Sequence, residues 1–545
     1  MATDGAEAQA QAQAPAQAMA MAQARERVAS LQAGLEASEG APVRLIETHI
    51  SWVLLAQSLA YKFKKPVQLP FLDFSTLAAR RRFCEEELRL NRRMAPALYL
   101  DVVDVHGGPQ GPAFGGDGPV LDVAVRMRRF PDGALWSEML AAGTLQPHHV
   151  DAMAQTLTAF HRDAAVAPVG SAFGLAPAHQ QVVQGLGDGI EASLQQIATP
   201  EDVAAWSALR AWLVRQQQAL APLWSTRQRQ GRVREGHGDL HLRNVLQWAG
   251  QATAFDGIEF DAAMRWIDVI DDMAFLAMDL LANQRRDLAF RFINAYLAAS
   301  GDYAGLPALR YYMVCRALVR ARVAALAGQQ GVPPATACGA AQYLALAMAL
   351  SRGADARLAI THGLPGSGKS FVAQAVVEAV GAIGVRSDVE RKRLFELGAL
   401  ESSRGRVPGG IYGPKTTRRT YARLLETASV ALAAGWPVVV DAAFLLRTER
   451  DAFARRAASL AVPLTLFDCR AELPLLRLRL QQRQAGGADP SEADAAVLDQ
   501  LTGVDELLAD SELLCAVVVD AMQPVAASAF AQRWLAAALP HQVKW

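Results

Sequence analysis

The stretch from Gly363 to Ser370, GLPGSGKS, constrains this chain more than any other. It meets the phosphate-binding (Walker A) template G-x-x-x-x-G-K-[ST] at every fixed position. Before it, RLAITH reads as a short buried strand, and after it FVAQAVVEAV carries apolar residues at helical spacing. Strand, glycine loop and helix is the context in which the motif holds phosphate. The loop Gly363, Leu364, Pro365, Gly366, Ser367 and Gly368 can curl its backbone N–H groups around phosphate oxygens. The helix start adds partial positive charge. In such a loop Lys369 reaches the β- and γ-phosphates, and the Ser370 hydroxyl ligates Mg²⁺.

The chain is 545 residues long, enough for about three or four folding units. With 52% hydrophobic and 20% charged residues it reads as globular. Its formal net charge is zero, which offers no electrostatic case for nucleic acid or an acidic membrane. Five scattered cysteines form no C-x-x-C pair, so neither a disulfide framework nor a zinc site is expected. No secretory signal is visible, and the uncharged stretch 326–351 is too broken for a membrane span. These features predict a cytoplasmic protein. Its oligomeric state is not readable.

Residues 1–40 are rich in Ala and Gln with few large apolar groups, and are expected to be disordered or loosely helical. From Ile46 the pattern turns to strands, with ETHISWVLLA and SLAYKFKKP as two neighbours and Lys62, Lys64 and Lys65 at the end of the second. LAARRRFCEEELRLNRRM, from Leu77 to Met94, is helical and places Glu87 on a face with Phe83, Leu90 and Met94. An inward glutamate needs a cationic partner, and a strand lysine is the natural one; Glu86 is the neighbouring alternative. His148 and His149 have no metal-ligand partners at useful spacing and are read as structural.

The second chemical cluster is GHGDLHLRNVLQWAGQATAFDGIEFD, residues 236–261. Asp239 is followed five residues later by Asn244, and Asp256 ends a short strand twelve residues beyond. Phosphoryl transfer needs a carboxylate near the acceptor hydroxyl, and Asn and Asp groups to hold Mg²⁺. Residues 45 to 325 resemble the aminoglycoside phosphotransferase family, which is related to protein kinases. HGDLHLRN is similar to its catalytic loop and AFDG to its metal-binding strand end. The resemblance implies Asp239 as catalytic base, Asn244 and Asp256 as Mg²⁺ ligands, Lys62 as the phosphate-pairing lysine and Glu87 as its helix partner. No G-x-G-x-x-G precedes the first strand pair, a departure that disfavours a protein kinase. Asp268, Asp271 and Asp272 are read as capping a helix and anchoring the catalytic loop.

Beyond a polar linker at Ser351–Ala356, strands alternate with helices, which predicts a parallel sheet covered on both faces. Candidate strands are 358–362, 382–386, 437–441, 463–467 and 516–520. Asp388 follows one of them at its carboxyl end, where open α/β sheets bind ligands. Asp441 ends another, where the second carboxylate of phosphate-loop enzymes sits near Mg²⁺. Arg479 and Arg483 share a helix face, and Gly486, Gly487 and Pro490 suggest a mobile flap after them. This half resembles the small P-loop kinases that include gluconate kinase, polynucleotide kinase and chloramphenicol phosphotransferase. That resemblance implies that Asp388 activates an acceptor hydroxyl and that the arginines close over the transferred phosphate.

The order of the halves is similar to that of bacterial proteins fusing an aminoglycoside phosphotransferase-like unit to an ATP-binding kinase-like unit. The expected architecture is a bilobal α+β protein-kinase-like domain over 41–350, then an α/β P-loop domain with a parallel sheet over 351–545. The expected activity is transfer of the γ-phosphate of ATP, with Mg²⁺, to hydroxyl groups of small molecules. Competing readings are a regulatory ATP switch and a protein or nucleic-acid-end kinase.

Overall fold

The computed structural model describes residues 2–69, 72–109, 111–194, 200–329, 338–353, 355–407, 410–486, 489–520 and 527–536. Packing divides the chain into two compact units. The first comprises Met1–Leu145, Phe160–Gly174 and Gly231–Asp272, and the second Gln146–Ala159, Leu175–Gln230 and Met273–Trp545.

In the first unit, β1 (Arg44–Glu47), β2 (Ser51–Leu55) and β3 (Leu59–Lys64) run antiparallel. A short pair follows, β4 (Gln68–Leu69) and β5 (Leu72–Asp73). Then β6 (Tyr99–Gly108), β7 (Gly111–Phe114) and β8 (Val120–Arg128) complete a six-stranded sheet in the order β1-β2-β3-β8-β6-β7. Side chains alternate across a strand, so Tyr61 and Phe63 of β3 point to one face and Lys62 and Lys64 to the other. The first face is covered by the helix Ala2–Glu39, whose Ala24, Val28 and Leu31 are buried with Tyr61 and Phe63. Residues 1–40, expected to be disordered or loosely helical, are therefore in large part a docked helix. Met21, Val28, Leu31 and Leu35 form the apolar stripe that docks this helix on the sheet's aromatic surface. The opposite face is covered by the helix Leu77–Asn91, started by the Thr76 side chain accepting from the Ala79 N–H. Its Cys84 packs with Val123, Val125 and Met127.

Two small antiparallel ribbons complete this unit. Strands β9 (Val233–Glu235) and β12 (Trp266–Asp268) form one, and β10 (Val245–Trp248) and β11 (Gln251–Ala254) the other. The loop 236–244 lies between β9 and β10.

In the second unit, β13 (Leu358–His362), β14 (Ile383–Arg386), β15 (Val438–Asp441), β16 (Leu464–Arg470) and β17 (Ala516–Asp520) form a parallel sheet in the order β14-β15-β13-β16-β17. The five expected strands are present, and β16 runs on to Arg470. Every residue of β13 and β15 is buried, as a strand covered on both faces requires.

Helices upstream of residue 350 pack on this sheet, so the units do not divide where the composition shifts. From the helix Arg286–Ser300, Asn294 donates to the Ala382 carbonyl at 2.9 Å and accepts from the Gly384 N–H at 2.6 Å. Arg291 reaches Glu378, on the helix Lys369–Val380, at 2.9 Å. Phe290 lies against Gly381, where an added Cβ would sit 2.8 Å from the ring. The helix Ala340–Ser351 ends where the linker was expected; residue 354 of that linker lies outside the described residues. In the helix Pro147–Asp163, His149 Nδ1 accepts from the Gln146 N–H at 3.0 Å, a local capping contact. Among the described residues no helix is long and apolar enough to cross a membrane.

Candidate active sites

In the first unit the loop 236–244 is held from below by one carboxylate. Asp272, fully buried, accepts the N–H of His237 at 2.7 Å and of Gly238 at 3.0 Å, and His161 Nε2 stands 3.0 Å away. This is the anchoring role the sequence suggests. Gly238 has φ +83°, and a Cβ there would lie 2.7 Å from the Met264 carbonyl, so the turn needs glycine. Asp268 caps the following helix by accepting from the Ile270 N–H at 2.9 Å. His237 Nε2 donates to the Phe255 carbonyl at 2.9 Å while its Nδ1 accepts from the Asp239 N–H at 3.3 Å. Burial lowers the pKa of His237, so the ring is neutral and ties the loop to the end of β11.

These ties bring the expected residues together. Asn244 Nδ2 donates to the Asp239 backbone oxygen at 3.0 Å and to its carboxylate at 3.1 Å. The Asn244 carbonyl accepts from the Phe255 N–H at 2.9 Å, beside Asp256. Asp256 has φ +62°, and its N–H donates to the Tyr99 hydroxyl at 3.1 Å. Lys62 pairs with Glu87 at 2.8 Å and also with the Asp256 carboxylate. Glu86, the alternative, turns to Arg89 at 2.7 Å and Arg265 at 2.9 Å instead. Glu87 is inaccessible to solvent, whereas the Asp239 and Asp256 side chains are 33% and 40% exposed. The two aspartates can therefore meet a ligand, and Glu87 can only hold the lysines.

Two further residues complete this network, the strand lysine Lys64 and, not foreseen, Glu259. Lys64 pairs with Glu87 at 2.7 Å and with Glu259. Lys64 was legible in principle, since it lies two residues from Lys62 on the same strand face. Glu259 gave no local signal. Burial opposes ionisation of Glu87, but Lys62 and Lys64 overcome it and hold its pKa at about 2. Burial pushes the Glu259 carboxyl up, and Lys64 only partly offsets this because Glu87 repels it. Lys65 faces the other way, to Glu47 at 2.7 Å.

Burial also works against Asp272, yet His161 and His237 hold its pKa below the ordinary 3.8. A carboxyl titrating lower in the folded state stabilises above about pH 4, and that contribution fades as pH falls through the folded value. Asp272→Asn should therefore lower the thermal midpoint at pH 7, by a margin that shrinks below about pH 4. Calorimetric scans of both proteins at pH 7 and pH 3 test this, and a gap independent of pH would exclude the anchoring charge.

In the second unit β13 delivers the glycine loop. Gly363 has φ +134°, and a Cβ there would lie 2.4 Å from the Cys469 carbonyl, which the extension of β16 brings alongside. Gly368 has φ +91° and starts the helix Lys369–Val380. Lys369 bends back to donate to the Leu364 carbonyl at 2.8 Å. Burial lowers its pKa against the pull of Asp441 and Asp388. The Ser367 hydroxyl is buried without a hydrogen-bond partner. Asp441 hydrogen-bonds Ser370, and burial raises its pKa despite nearby Arg386. Asp388 sits in the first turn of the helix Ser387–Arg393, with the Tyr412 hydroxyl 3.4 Å from Oδ1. Arg386, not foreseen, lies 3.6 Å from Asp441 and 2.8 Å from Asp489.

Arg479 reaches the loop, donating to the Gly366 carbonyl at 3.3 Å. Arg483 donates to the Ala493 carbonyl at 2.6 Å instead, although its charge is felt at Lys369. The flap expected from Gly486 corrects in part: Gly486 continues the helix Leu473–Gly486, and Gly487 lies outside the described residues.

An antiparallel sheet with a Lys–Glu pair beside an H-x-D-x-x-x-x-N loop, and a parallel sheet with a phosphate-binding loop, define a chain of two fused modules. The family described as AAA domain matches residues 358–508. The uncharacterized protein Rv2004c of Mycobacterium tuberculosis is 31% identical over 457 residues, spanning 83% of this chain and 88% of that protein. The chain belongs to the family of that protein. Among solved structures, a Plasmodium vivax ethanolamine kinase is 10% identical with TM-score 0.35, covering 57% of this chain and 82% of its own. A gluconokinase from Sinorhizobium meliloti 1021 is 21% identical with TM-score 0.25, covering 34% and 92%.

Proposed function

We propose that this protein is an ATP-dependent phosphotransferase with two modules, each moving the γ-phosphate of ATP to a hydroxyl of a small molecule. The observation that carries this reading is that each unit holds a complete set of groups. The residues fit a nucleotide with Mg²⁺. In the second unit the cradle at Gly363 admits no side chain, Ser367 offers an unmet buried hydroxyl, and Lys369 is stored on a carbonyl of its own loop. In the first, Lys62 bridges the buried Glu87 and the open Asp256.

Bound ATP and Mg²⁺ would supply the transferable phosphoryl group and neutralise its charge. In the first module Asn244 and Asp256 would hold the metal, and Lys62, fixed by Glu87, would pair with phosphate. Asp239 would take the acceptor proton. In the second module the loop N–H groups and Lys369 would hold phosphate, and Ser370 and Asp441 the metal. Asp388 would take the proton, and Arg479 and Arg483 would add positive charge over the phosphate. The absence of a basic stripe in a chain of zero net charge favours small-molecule acceptors over nucleic acid.

The test is calorimetric titration of the full chain with a non-hydrolysable ATP analogue and Mg²⁺. Two equivalents per chain are expected, one lost in Lys369→Ala and the other in Asp256→Ala. A single equivalent lost on either change alone would mean a shared site. One sensitive only to Lys369 would exclude the first module as a kinase.

A further inference from the structure

The Tyr412 hydroxyl lies beside Asp388, the proposed base of the second module. Tyr412 lies in the glycine-flanked run GGIYGP just before the helix Pro414–Ala433. Its phenol donates toward Asp388 Oδ1 at 3.4 Å. The same oxygen accepts the Glu492 N–H at 3.0 Å and hydrogen-bonds Ser491. The Arg391 guanidinium stands 5.1 Å from the ring centre and fixes the loop by donating to the Ile411 carbonyl and the Thr417 hydroxyl. Glu492 accepts from the Ser403 N–H at 2.7 Å and hydroxyl at 2.6 Å, so the segments carrying Ser403, Tyr412 and Glu492 are pinned together at this phenol. Asp388 is near enough for its charge to act on both Lys369 and Asp441. A hydroxyl whose proton points at a carboxylate, and whose oxygen is steadied by two donors, has the arrangement of an activated nucleophile.

We infer that Tyr412 is a phosphate acceptor of the second module itself. The inference rests on the proposed roles of Asp388 and the phosphate loop. The phenolic oxygen would bond to the γ-phosphorus as the bond from that phosphorus to the β-bridging oxygen breaks. The phenolic proton passes to Asp388, and ADP leaves. Burial and the Asp388 charge keep the phenol protonated at rest, so the transfer needs that base. The phosphate formed would repel Asp388 and Glu492 and loosen the pinned segments.

The sequence makes the readout unambiguous. Cleavage after Arg406 and Lys415 yields VPGGIYGPK, in which Tyr412 is the one hydroxyl-bearing residue. Full-length protein incubated with ATP and Mg²⁺, without added acceptor, should gain phosphate on this peptide at a rate independent of protein concentration. Asp388→Asn should slow labelling by at least about 10²-fold. Lys369→Ala should slow it similarly, Tyr412→Phe should remove that label, and Asp239→Asn should leave it unchanged. An unmodified peptide from protein that binds its Lys369-dependent nucleotide equivalent would overturn the inference and leave the proposed function standing. So would undiminished labelling in Asp388→Asn. Absence of that nucleotide equivalent would overturn both.

Discussion

Lys369→Ala is expected to reduce ATP turnover by the second module about 10²–10³-fold, the cost of removing one preorganised charge contact to the reacting group. Lys369 is buried and donates to the Leu364 carbonyl, a contact that a phosphate would replace. Burial lowers its pKa, so its charge is costly in the resting protein. Alanine relieves that cost, and thermal stability should stay level or rise while turnover collapses. That split separates a functional lysine from a structural one. The measurement is hydrolysis of ATP in full-length protein with the first module silenced by Asp239→Asn. The full chain is needed because Asn294 and Phe290, well before residue 350, pack on this sheet. Normal turnover in the double variant, or loss of turnover with a matching loss of stability, would sink the assignment.

Asp239→Asn should lower phosphoryl transfer by the first module by roughly 10²–10⁴-fold, the usual contribution of a positioned base. Nucleotide affinity should change little, because Lys62, Glu87 and Asp256 do not depend on Asp239 for their pairing. The loop should also keep its shape. An asparagine carbonyl at 239 can still accept the Asn244 amide now bonded at 3.1 Å, and Asp272 anchors the loop from the other side. Comparing nucleotide affinity with transfer rate in Lys369→Ala protein checks this. Collapse of affinity with transfer retained would reverse the roles given to Asp239, Asn244 and Asp256.

The parts legible in the sequence share a physical character: they are set by short-range geometry. The glycine loop needs positive φ at Gly363 and Gly368, and a lysine one residue after the second glycine. The spacing from Asp239 to Asn244 spans one turn of loop, and the helix period placed Glu87 inward. The apolar runs of β13 and β15 announced a sheet buried on both faces.

Tertiary structure decided what depends on residues far apart in the chain. Between Glu86 and Glu87 the choice fell to where the lysines of β3 point, and Lys64 found its second partner 195 positions away in Glu259. The alanine-rich start became a docked helix because Tyr61 and Phe63 gave it a face to cover. Tyr412 came to Asp388 through a loop pinned by Glu492, and Arg386 to Asp441 through the parallel register of β14 and β15. Backbone dihedrals and side-chain periodicity act over a few residues and can be read in order. Charge pairing and burial act through space, and only the folded chain brings those partners within reach.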